Sequence, residues 1–201
     1  MSNTKEKTTD CFVLVNEDNR LPNGFEDTVE LMPTENVAGN KFKVEKKTYN
    51  AFLALQEDVL KNDGIQTVLL GSCRTIKQQE EIFEKNLCEF GLEYTRKYVA
   101  KPGCSEHHTG LAIDVGILLD GKLRRKKEEL LSLEHLFEII HKKLPLYGFI
   151  LRYPKGKESI TQIAYEPWHY RYIDSPRIAQ EITDNGLCLE ECLSEREFAL
   201  H

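Results

Sequence analysis

The chain has 201 residues, of which 40% are hydrophobic and 30% are charged. This length and composition are those of a globular protein large enough to bury one hydrophobic core. The formal net charge of −6 argues against nucleic acid as the main partner, because phosphate binding requires a basic surface. No apolar run in the sequence is long enough to cross a bilayer, so a transmembrane segment is not expected.

The N-terminal sequence and the cysteines bear on the compartment in which the protein works. The apolar run at residues 11–15 is shorter than the core of a signal peptide. If the start is the native one, we expect the protein to stay in the cytoplasm, where its six cysteines remain thiols. Cys188 and Cys192 lie one helical turn apart without a second pair at zinc-finger spacing, so we expect them to pack on a helix face.

An extended arm opens the chain. Residues 1–45 carry several prolines and glycines, which predicts an arm with turns that packs on one compact domain spanning residues 46–201. Apolar residues at helical spacing predict a first helix over residues 46–62, ended by Gly64. A short β-favouring run follows at residues 65–70.

A second helix is predicted to begin at Thr75, because Thr75 with Gln78 three residues on is the pattern of a capping box. Its buried stripe is expected to consist of Ile76, Ile82, Phe83 and Leu87. After a loop, apolar and small residues alternate over residues 111–116, as in a strand with one face in the core. The polar and basic residues 118–130 predict a mobile insertion.

The last part of the chain predicts another helix, two strands and a final helix. Helical spacing recurs at Leu133, Leu136, Phe137 and Ile140. Residues 148–151 and 162–173 favour strands, and Ser175 followed by Pro176 is a helix start. This order of elements indicates the α+β class, with a small, mostly antiparallel sheet and helices packed on it, rather than a doubly wound parallel sheet.

Two segments carry residues suited to metal chemistry. Asp114 lies within the apolar strand, where a buried carboxylate is costly unless a partner such as a metal ion offsets the cost. His107 and His108 precede it in a loop, and on spacing alone either could be a ligand. With His169, two imidazoles and one carboxylate form a common set for catalytic zinc that leaves one position for water.

Such a site also needs a base, and Glu166 lies three residues before His169. Ideal strand geometry would place the two on opposite faces, so we expect a bend at Pro167. The alternative is that each histidine is a surface or packing residue and that Asp114 is bonded to a loop. The metal hypothesis therefore depends on the combination of residues.

Arg74 lies at a predicted junction between strand and helix. A guanidinium at this place could polarise a carbonyl oxygen or clamp a carboxylate. The alternative is an ion pair with Glu80 or Glu81 on the helix surface. Gln79, one turn into the helix, could face the same cleft, and Ser105 offers a hydroxyl just before the metal loop.

Two motifs resemble those of the zinc D-alanyl-D-alanine peptidases. The family pattern S-x-H-x-x-G-x-A-x-D matches from Ser105 to Asp114, and E-x-W-H matches from Glu166 to His169. The nearest resemblance is to vancomycin-resistance D,D-carboxypeptidases and D,D-dipeptidases of the VanY and VanXY type. It implies a single-domain zinc peptidase fold, which hedgehog-type proteins share.

The resemblance implies specific ligands and a specific base. One zinc ion per chain would be held by His107, Asp114 and His169, with His107 rather than His108 at the motif position. Glu166 would act as the general base and acid.

The resemblance also implies roles around the substrate. Arg74 would contact the scissile carbonyl and steady the developing oxyanion. The residues implied near the substrate are Ser105, Gln79 and Trp168. Ser72 and Cys73 stand where relatives usually carry Gly-Tyr, so we expect an aromatic wall of the pocket to be missing.

The implied activity is removal of the terminal D-Ala from the D-Ala-D-Ala dipeptide or from the muramyl pentapeptide, which supports glycopeptide resistance. Residues 118–130 follow the predicted strand that carries Asp114, and they are expected to help set substrate size. One alternative is a cell-wall endopeptidase of the same metal fold that cuts an L-Ala-D-Glu or cross-bridge bond. The other is a zinc-containing binding module without turnover, against which Glu166 and Arg74 argue.

Overall fold

The computed structural model describes residues 10–22 and 25–198. Its strands, in chain order, are β1 (Leu31–Glu35), β2 (Lys41–Glu45), β3 (Gln66–Gly71), β4 (Ala112–Leu119), β5 (Lys122–Arg124), β6 (Phe149–Leu151) and β7 (His169–Tyr172). Its α-helices are α1 (Lys46–Asp63), α2 (Ile76–Tyr98), α3 (Lys127–Ser132), α4 (Glu134–His141), α5 (Glu158–Thr161), α6 (Pro176–Asp184) and α7 (Leu189–Phe198). Short 3-10 helices cover Phe25–Thr28, Glu106–Thr109 and Leu144–Tyr147.

The larger sheet is antiparallel and has β4 at its centre. Strand β3 lies along one edge of β4. The other edge is shared, because β7 pairs with the first residues of β4 and β5 pairs with its last residues. Strand β6 completes the sheet beyond β7, while β1 and β2 form a separate hairpin. The expected α+β class with a small, mostly antiparallel sheet is confirmed.

The main core lies between this sheet and helices α1 and α4. Its buried side chains include Phe52, Leu55, Val59, Ile113, Val115, Phe137 and Ile140. The alternation predicted for residues 111–116 places every second residue of this segment in the core, and Leu111, Ile113 and Val115 have no exposed surface. The side chain of Asp114 therefore points to the opposite face of the sheet.

The ends of helix α1 follow the sequence prediction. The side chain of Glu45 accepts a hydrogen bond from the amide of Thr48 at the helix start. Gly64 follows the last turn in the left-handed conformation, with φ at 69°, and its amide donates to the carbonyl oxygens of Val59 and Leu60. The predicted helix start at Ser175 is also confirmed, because its side chain caps α6.

The buried stripe predicted for α2 is wrong. Ile76, Ile82 and Phe83 are only half-buried and Leu87 is exposed, whereas the buried residues of the helix are Gln79 and Thr95. The physical reason is that this face of α2 borders a cleft instead of the main core. Gln79 points inward and donates from Nε2 to the carbonyl oxygen of Ala100, at 2.7 Å.

The capping box at the start of α2 is confirmed and supports a stability prediction. Thr75 accepts from the amide of Gln78, and the Gln78 side chain accepts from the amide of Thr75. Thr75→Ala removes one of these bonds and should lower the free energy of unfolding by about 1 kcal/mol. Thr75→Ser keeps a hydroxyl and serves as the control. Urea denaturation of the three proteins checks the difference, and equal stability of Thr75→Ala and wild type would contradict it.

The mobile insertion predicted for residues 118–130 is also wrong. Strand β4 continues to Leu119, and Asp120 and Gly121 form a tight turn with φ values of 52° and 69° that leads directly into β5. An Asp-Gly pair is a strong hairpin signal, because both residues tolerate the left-handed conformation. Helix α3 then begins at Lys127.

Other expectations concern the arm and the cysteines. In the hairpin of β1 and β2, Val44 is buried in the main core. The division between an arm at 1–45 and a domain at 46–201 stays a prediction, and residues 1–9 and 23–24 of the arm lie outside the described residues. Cys188 and Cys192 are buried, and within the described part of the chain no disulfide is formed. Among the described helices, none has both the length and the hydropathy that crossing a membrane requires.

Candidate metal centre

Three strands place Asp114 at the middle of the site. It pairs with Gly71 of β3 on one side and with His169 of β7 on the other. Directly opposed residues of an antiparallel pair project to the same face, so the register alone brings Asp114 and His169 together. A Cβ atom on Gly71 would lie 2.3 Å from Oδ2 of Asp114. The glycine therefore leaves the space that this carboxylate occupies.

His107 reaches the same place from the 3-10 helix Glu106–Thr109. Its Nδ1 donates to the carbonyl oxygen of Ser72 at 2.8 Å, which leaves Nε2 as the atom that faces the site. Nε2 lies 3.1 Å from Oδ2 of Asp114, and Nδ1 of His169 lies 3.0 Å from Oδ1 of the same carboxylate. One donor atom from each of the three residues lies within 4.8 Å of the other two.

His108 is turned away from this cluster. Its Nδ1 donates to the carbonyl oxygen of Arg74 at 2.7 Å, and its Nε2 accepts from the amide of Gly103 at 3.1 Å. Both ring nitrogens therefore hold the backbone of the loop. The geometry thus separates two adjacent histidines that spacing alone left equivalent.

Glu166 lies in a turn and not in a strand. The strand predicted over 162–173 is wrong in its first half, because β7 begins only at His169. Pro167 cannot donate a ladder hydrogen bond, and the turn is closed by the amide of His169 donating to the carbonyl oxygen of Glu166. The bend expected at Pro167 is thus present, and Oε2 of Glu166 lies 3.9 Å from Nδ1 of His169.

Arg74 and the residues implied near the substrate line one cleft with the three clustered side chains. Nη2 of Arg74 lies 3.9 Å from Oδ2 of Asp114. Among the ion pairs of the described residues, Arg74 has none with Glu80 or Glu81. The cleft brings together every residue to which the resemblance assigns a role in the site, namely Arg74, Gln79, Ser105, His107, Asp114, Glu166, Trp168 and His169.

The ionisable groups of the cluster shift one another's pKa values. Burial raises the pKa of Asp114, but the neighbouring imidazoles, His107 first, outweigh it and hold that pKa well below its usual range. Burial, together with the charge of Arg74, lowers the pKa of His107 to about 4. For His169, burial is outweighed by the neighbouring carboxylates of Asp114 and Glu106, and its pKa is raised to about 9. The site therefore holds a carboxylate next to a neutral His107.

The pKa of Glu166 moves in the opposite direction from that of Asp114. Burial raises the pKa of Glu166 to about 7, and the charge of His169 offsets only part of this shift. Two carboxyl groups in one cleft with pKa values pushed apart are typical of a catalytic site in which one group binds and the other exchanges protons.

Several residues around the cleft were not predicted from the sequence. Glu106 is fully buried between Arg152 and Arg171, whose side chains have no exposed surface. Tyr153 packs its ring 4.8 Å from that of His169. A usable signal was Arg171, which stands between two tyrosines in β7, because a buried guanidinium requires a buried carboxylate.

A second missed feature joins the segment 118–130 to the cleft. The ammonium group of Lys127 lies 3.0 Å from the ring centroid of Tyr98 and donates to the hydroxyl of Tyr94 at 3.1 Å. Tyr98 lines the cleft. The effect of this segment on substrate size stays a prediction.

The three clustered side chains fit a zinc ion by the chemistry of their donor atoms. Two imidazole nitrogens and a carboxylate oxygen converge, and three protein ligands are the number found in catalytic zinc sites. The tautomer of His107 is fixed by the backbone of Ser72, as is usual for a histidine that binds metal. The space left by Gly71 allows the carboxylate to lie between the two imidazoles.

Comparison with known proteins identifies a matching family and several relatives of this chain. The model of the VanY family, described as D-alanyl-D-alanine carboxypeptidase, matches residues 41–175. A bifunctional D-Ala-D-Ala dipeptidase and D-Ala-D-Ala carboxypeptidase of Enterococcus gallinarum, VanXYC, is 44% identical over 128 residues. That alignment covers 61% of this chain and 64% of the relative, so the chain spans less than two thirds of the relative's length.

Solved structures agree on the fold. VanY from a VanB-type vancomycin resistance cassette, a D,D-pentapeptidase in complex with Zn(II), is 30% identical with a TM-score of 0.75, and the match covers 91% of this chain and 98% of that one. The vancomycin resistance D,D-dipeptidase VanXYg, in complex with a D-Ala-D-Ala phosphinate analog, is 30% identical with a TM-score of 0.76, over 92% and 70% of the two chains.

A third structure widens the range of peptidases. The LD-carboxypeptidase LdcB is 30% identical with a TM-score of 0.74, over 90% of this chain and 84% of that one. All of these relatives are named as peptidases, as the two motifs led us to expect. The family match, which covers well over half of the residues, confirms the resemblance, and this chain belongs to the VanY family of D-alanyl-D-alanine carboxypeptidases.

Proposed function

We propose that this chain is a zinc-dependent D,D-peptidase that removes the terminal D-Ala from D-Ala-D-Ala. The substrate is the free dipeptide, the end of the peptidoglycan precursor pentapeptide, or both. The observation that carries the proposal is the convergence of His107, Asp114 and His169 beside Glu166 in one cleft of a VanY-family chain. Such an activity would support vancomycin resistance, the setting named for the two similar Van structures.

One zinc ion per chain would be held by Nε2 of His107, a carboxylate oxygen of Asp114 and Nδ1 of His169. The chemistry that a bound zinc supplies is Lewis acidity, which lowers the pKa of a coordinated water to ~7 and polarises a carbonyl. The support in this chain is the position of these three atoms within 4.8 Å of one another.

Glu166 and Arg74 would supply the remaining groups. Glu166 accepts a proton from the attacking water and returns it to the departing amine, a task for which a carboxyl pKa near neutrality is well suited. Nη2 of Arg74 lies 3.9 Å from Oδ2 of Asp114. From this position its guanidinium would bind the carbonyl oxygen of the substrate, on which negative charge develops. Ser105, Gln79 and Trp168 complete the walls against which the peptide is oriented.

Two other activities define the substrate test. The likeness to LdcB favours an L,D-carboxypeptidase as a second candidate, and a cell-wall endopeptidase that cuts L-Ala-D-Glu remains the alternative raised by the sequence. We expect kcat/KM for D-Ala-D-Ala or the muramyl pentapeptide to exceed that for N-acetyl-L-Lys-D-Ala and L-Ala-D-Glu by about tenfold or more. D-Ala-D-Ser measures the tolerance for the terminal residue. Faster cleavage of the L,D bond would overturn the D,D assignment.

A zinc-containing binding module without turnover is the last alternative. Zinc-loaded protein that hydrolysed none of these peptides, at concentrations where it bound them, would favour that module. A location in the cytoplasm stays a prediction.

The space left by Gly71 gives a prediction for the metal. Gly71→Ala would place a methyl group 2.3 Å from Oδ2 of Asp114, so we expect zinc affinity to fall by ~10-fold or more. Gly116→Ala is the matched control, because its methyl group would meet the carbonyl oxygen of Arg124 at 2.7 Å, outside the metal cluster. Chelator competition measures the affinity. Equal losses of affinity in both variants would show that the effect is a general distortion of the sheet.

A further inference from the structure

Behind the metal cluster lies a buried network of four charged side chains. Oε1 of Glu106 accepts from Nε of Arg152 at 2.7 Å and from Nη1 of Arg171 at 2.6 Å. Arg152 also donates from both terminal nitrogens to the carboxylate of Glu190, at 2.8 and 2.6 Å. Two positive and two negative groups therefore balance, and the carboxylate of Glu106 is held rigidly by bonds to one of its oxygens.

The other oxygen of Glu106 faces a metal ligand. Oε2 lies 3.7 Å from Nε2 of His169. Both atoms are buried, and within the described residues neither has a hydrogen-bond partner. Because unpartnered buried polar atoms are costly, two that face each other indicate a pair, and a shift of ~0.7 Å would bring them to hydrogen-bond distance.

The two histidines of the cluster present opposite nitrogens to Asp114. His107 presents Nε2, and its Nδ1 donates a hydrogen bond to the carbonyl oxygen of Ser72. His169 presents Nδ1, which lies 3.0 Å from Oδ1 of Asp114. For Nδ1 to offer a lone pair to a metal instead of donating to that carboxylate, the ring proton must be on Nε2. Within the described residues, Oε2 of Glu106 is the side-chain acceptor placed to receive that proton.

We infer that Glu106 is a positioning residue that fixes His169 in the tautomer with its proton on Nε2, so that Nδ1 is ready to bind the metal. This inference rests on the proposed zinc-dependent function. Glu106 touches neither the substrate nor the reacting atoms and acts only through His169. The rigid hold of Arg152 and Arg171 on Oε1 keeps Oε2 directed at the imidazole.

A purely structural role for the network is the competing explanation, and Glu190 provides the control. Glu106→Gln and Glu190→Gln each replace a carboxylate that pairs with Arg152 by a neutral amide, but only Glu106 faces His169. We expect Glu106→Gln to weaken zinc binding by about 10- to 100-fold and to change the visible absorption spectrum of the Co²⁺-substituted protein. Glu190→Gln should stay within about threefold of wild type and keep the wild-type spectrum. Both variants should lower the unfolding temperature of the metal-free chain.

The outcomes separate this inference from the proposed function. If wild-type protein bound zinc but Glu106→Gln did not differ from Glu190→Gln in zinc affinity or in Co²⁺ spectrum, the positioning role of Glu106 would be refuted and the proposed function would stand. If wild-type protein bound no zinc, both would fail. Should Glu106→Gln not fold, ¹⁵N NMR of the histidine rings in metal-free wild type, at a pH where His169 is neutral, decides: a proton on Nε2 of His169 supports the inference, and a proton on Nδ1 overturns it.

Discussion

Replacing Glu166 with alanine should lower the rate of peptide hydrolysis by about two orders of magnitude or more, while the zinc content stays at about one ion per chain. The carboxylate lies 3.9 Å from Nδ1 of His169, close enough to serve a water molecule bound at the cluster. It is separate from the three donor atoms that would hold the metal. Its loss should therefore remove proton transfer and leave the metal site in place.

The experiment pairs zinc content with the rate on D-Ala-D-Ala for Glu166→Ala, Glu166→Gln and a control. Glu166→Gln keeps the volume of the side chain but cannot accept the proton, so it should be as slow as the alanine variant. Glu134→Gln is the control, because this carboxylate pairs with Lys155 outside the cleft, and it should retain the wild-type rate. A fully active Glu166→Ala enzyme would remove the assignment of the base.

The parts of the fold that the sequence predicted depend on local chemistry. The capping box of Thr75, the left-handed Gly64 and the start of α6 at Ser175 each involve residues within a few positions of one another. The alternation around Asp114 is local as well, and it places the carboxylate away from the core without knowledge of any partner strand.

The errors arose where tertiary contacts decided the outcome. The apolar stripe of α2 has helical spacing, but the face that carries it borders the cleft, where the polar Gln79 is the buried residue. Residues 162–168 have strand-like composition, yet the turn at Pro167 interrupts pairing and strand β7 is reduced to four residues. Neither result follows from periodicity, because periodicity does not say which neighbour a face will meet.

In the site, too, one part was predicted from the sequence and another part depends on tertiary contacts. The residues of the two motifs were predicted from sequence, and the structure brings them together because Asp114 and His169 are direct neighbours in register. The support behind them was not predicted, since Glu106, Arg152 and Arg171 come from distant segments whose pairing depends on how β6 and β7 pack on the 3-10 helix. A family motif predicts candidate ligands, whereas the residues that support those side chains become visible only in three dimensions.

Two adjacent histidines give the sharpest test of the metal centre. His107→Ala should lose both zinc and activity, because Nε2 of His107 is one of the three converging donor atoms. Chelator treatment of the wild-type protein should have the same effect on activity, and added zinc should restore it. In His107→Ala added zinc should restore little, since two protein ligands bind zinc far more weakly than three.

His108→Gln is the matched control for this variant. The His108 ring bridges the carbonyl oxygen of Arg74 and the amide of Gly103, a role in which a glutamine amide can also donate and accept. We therefore expect His108→Gln to keep about one zinc per chain and an activity within a few-fold of wild type, with at most a modest loss of thermal stability. Metal analysis and rates on D-Ala-D-Ala measure both. If His108→Gln lost its zinc while His107→Ala kept it, the ligand set would have to be redrawn around the other imidazole, and the register that joins Asp114 to His169 would no longer explain the site.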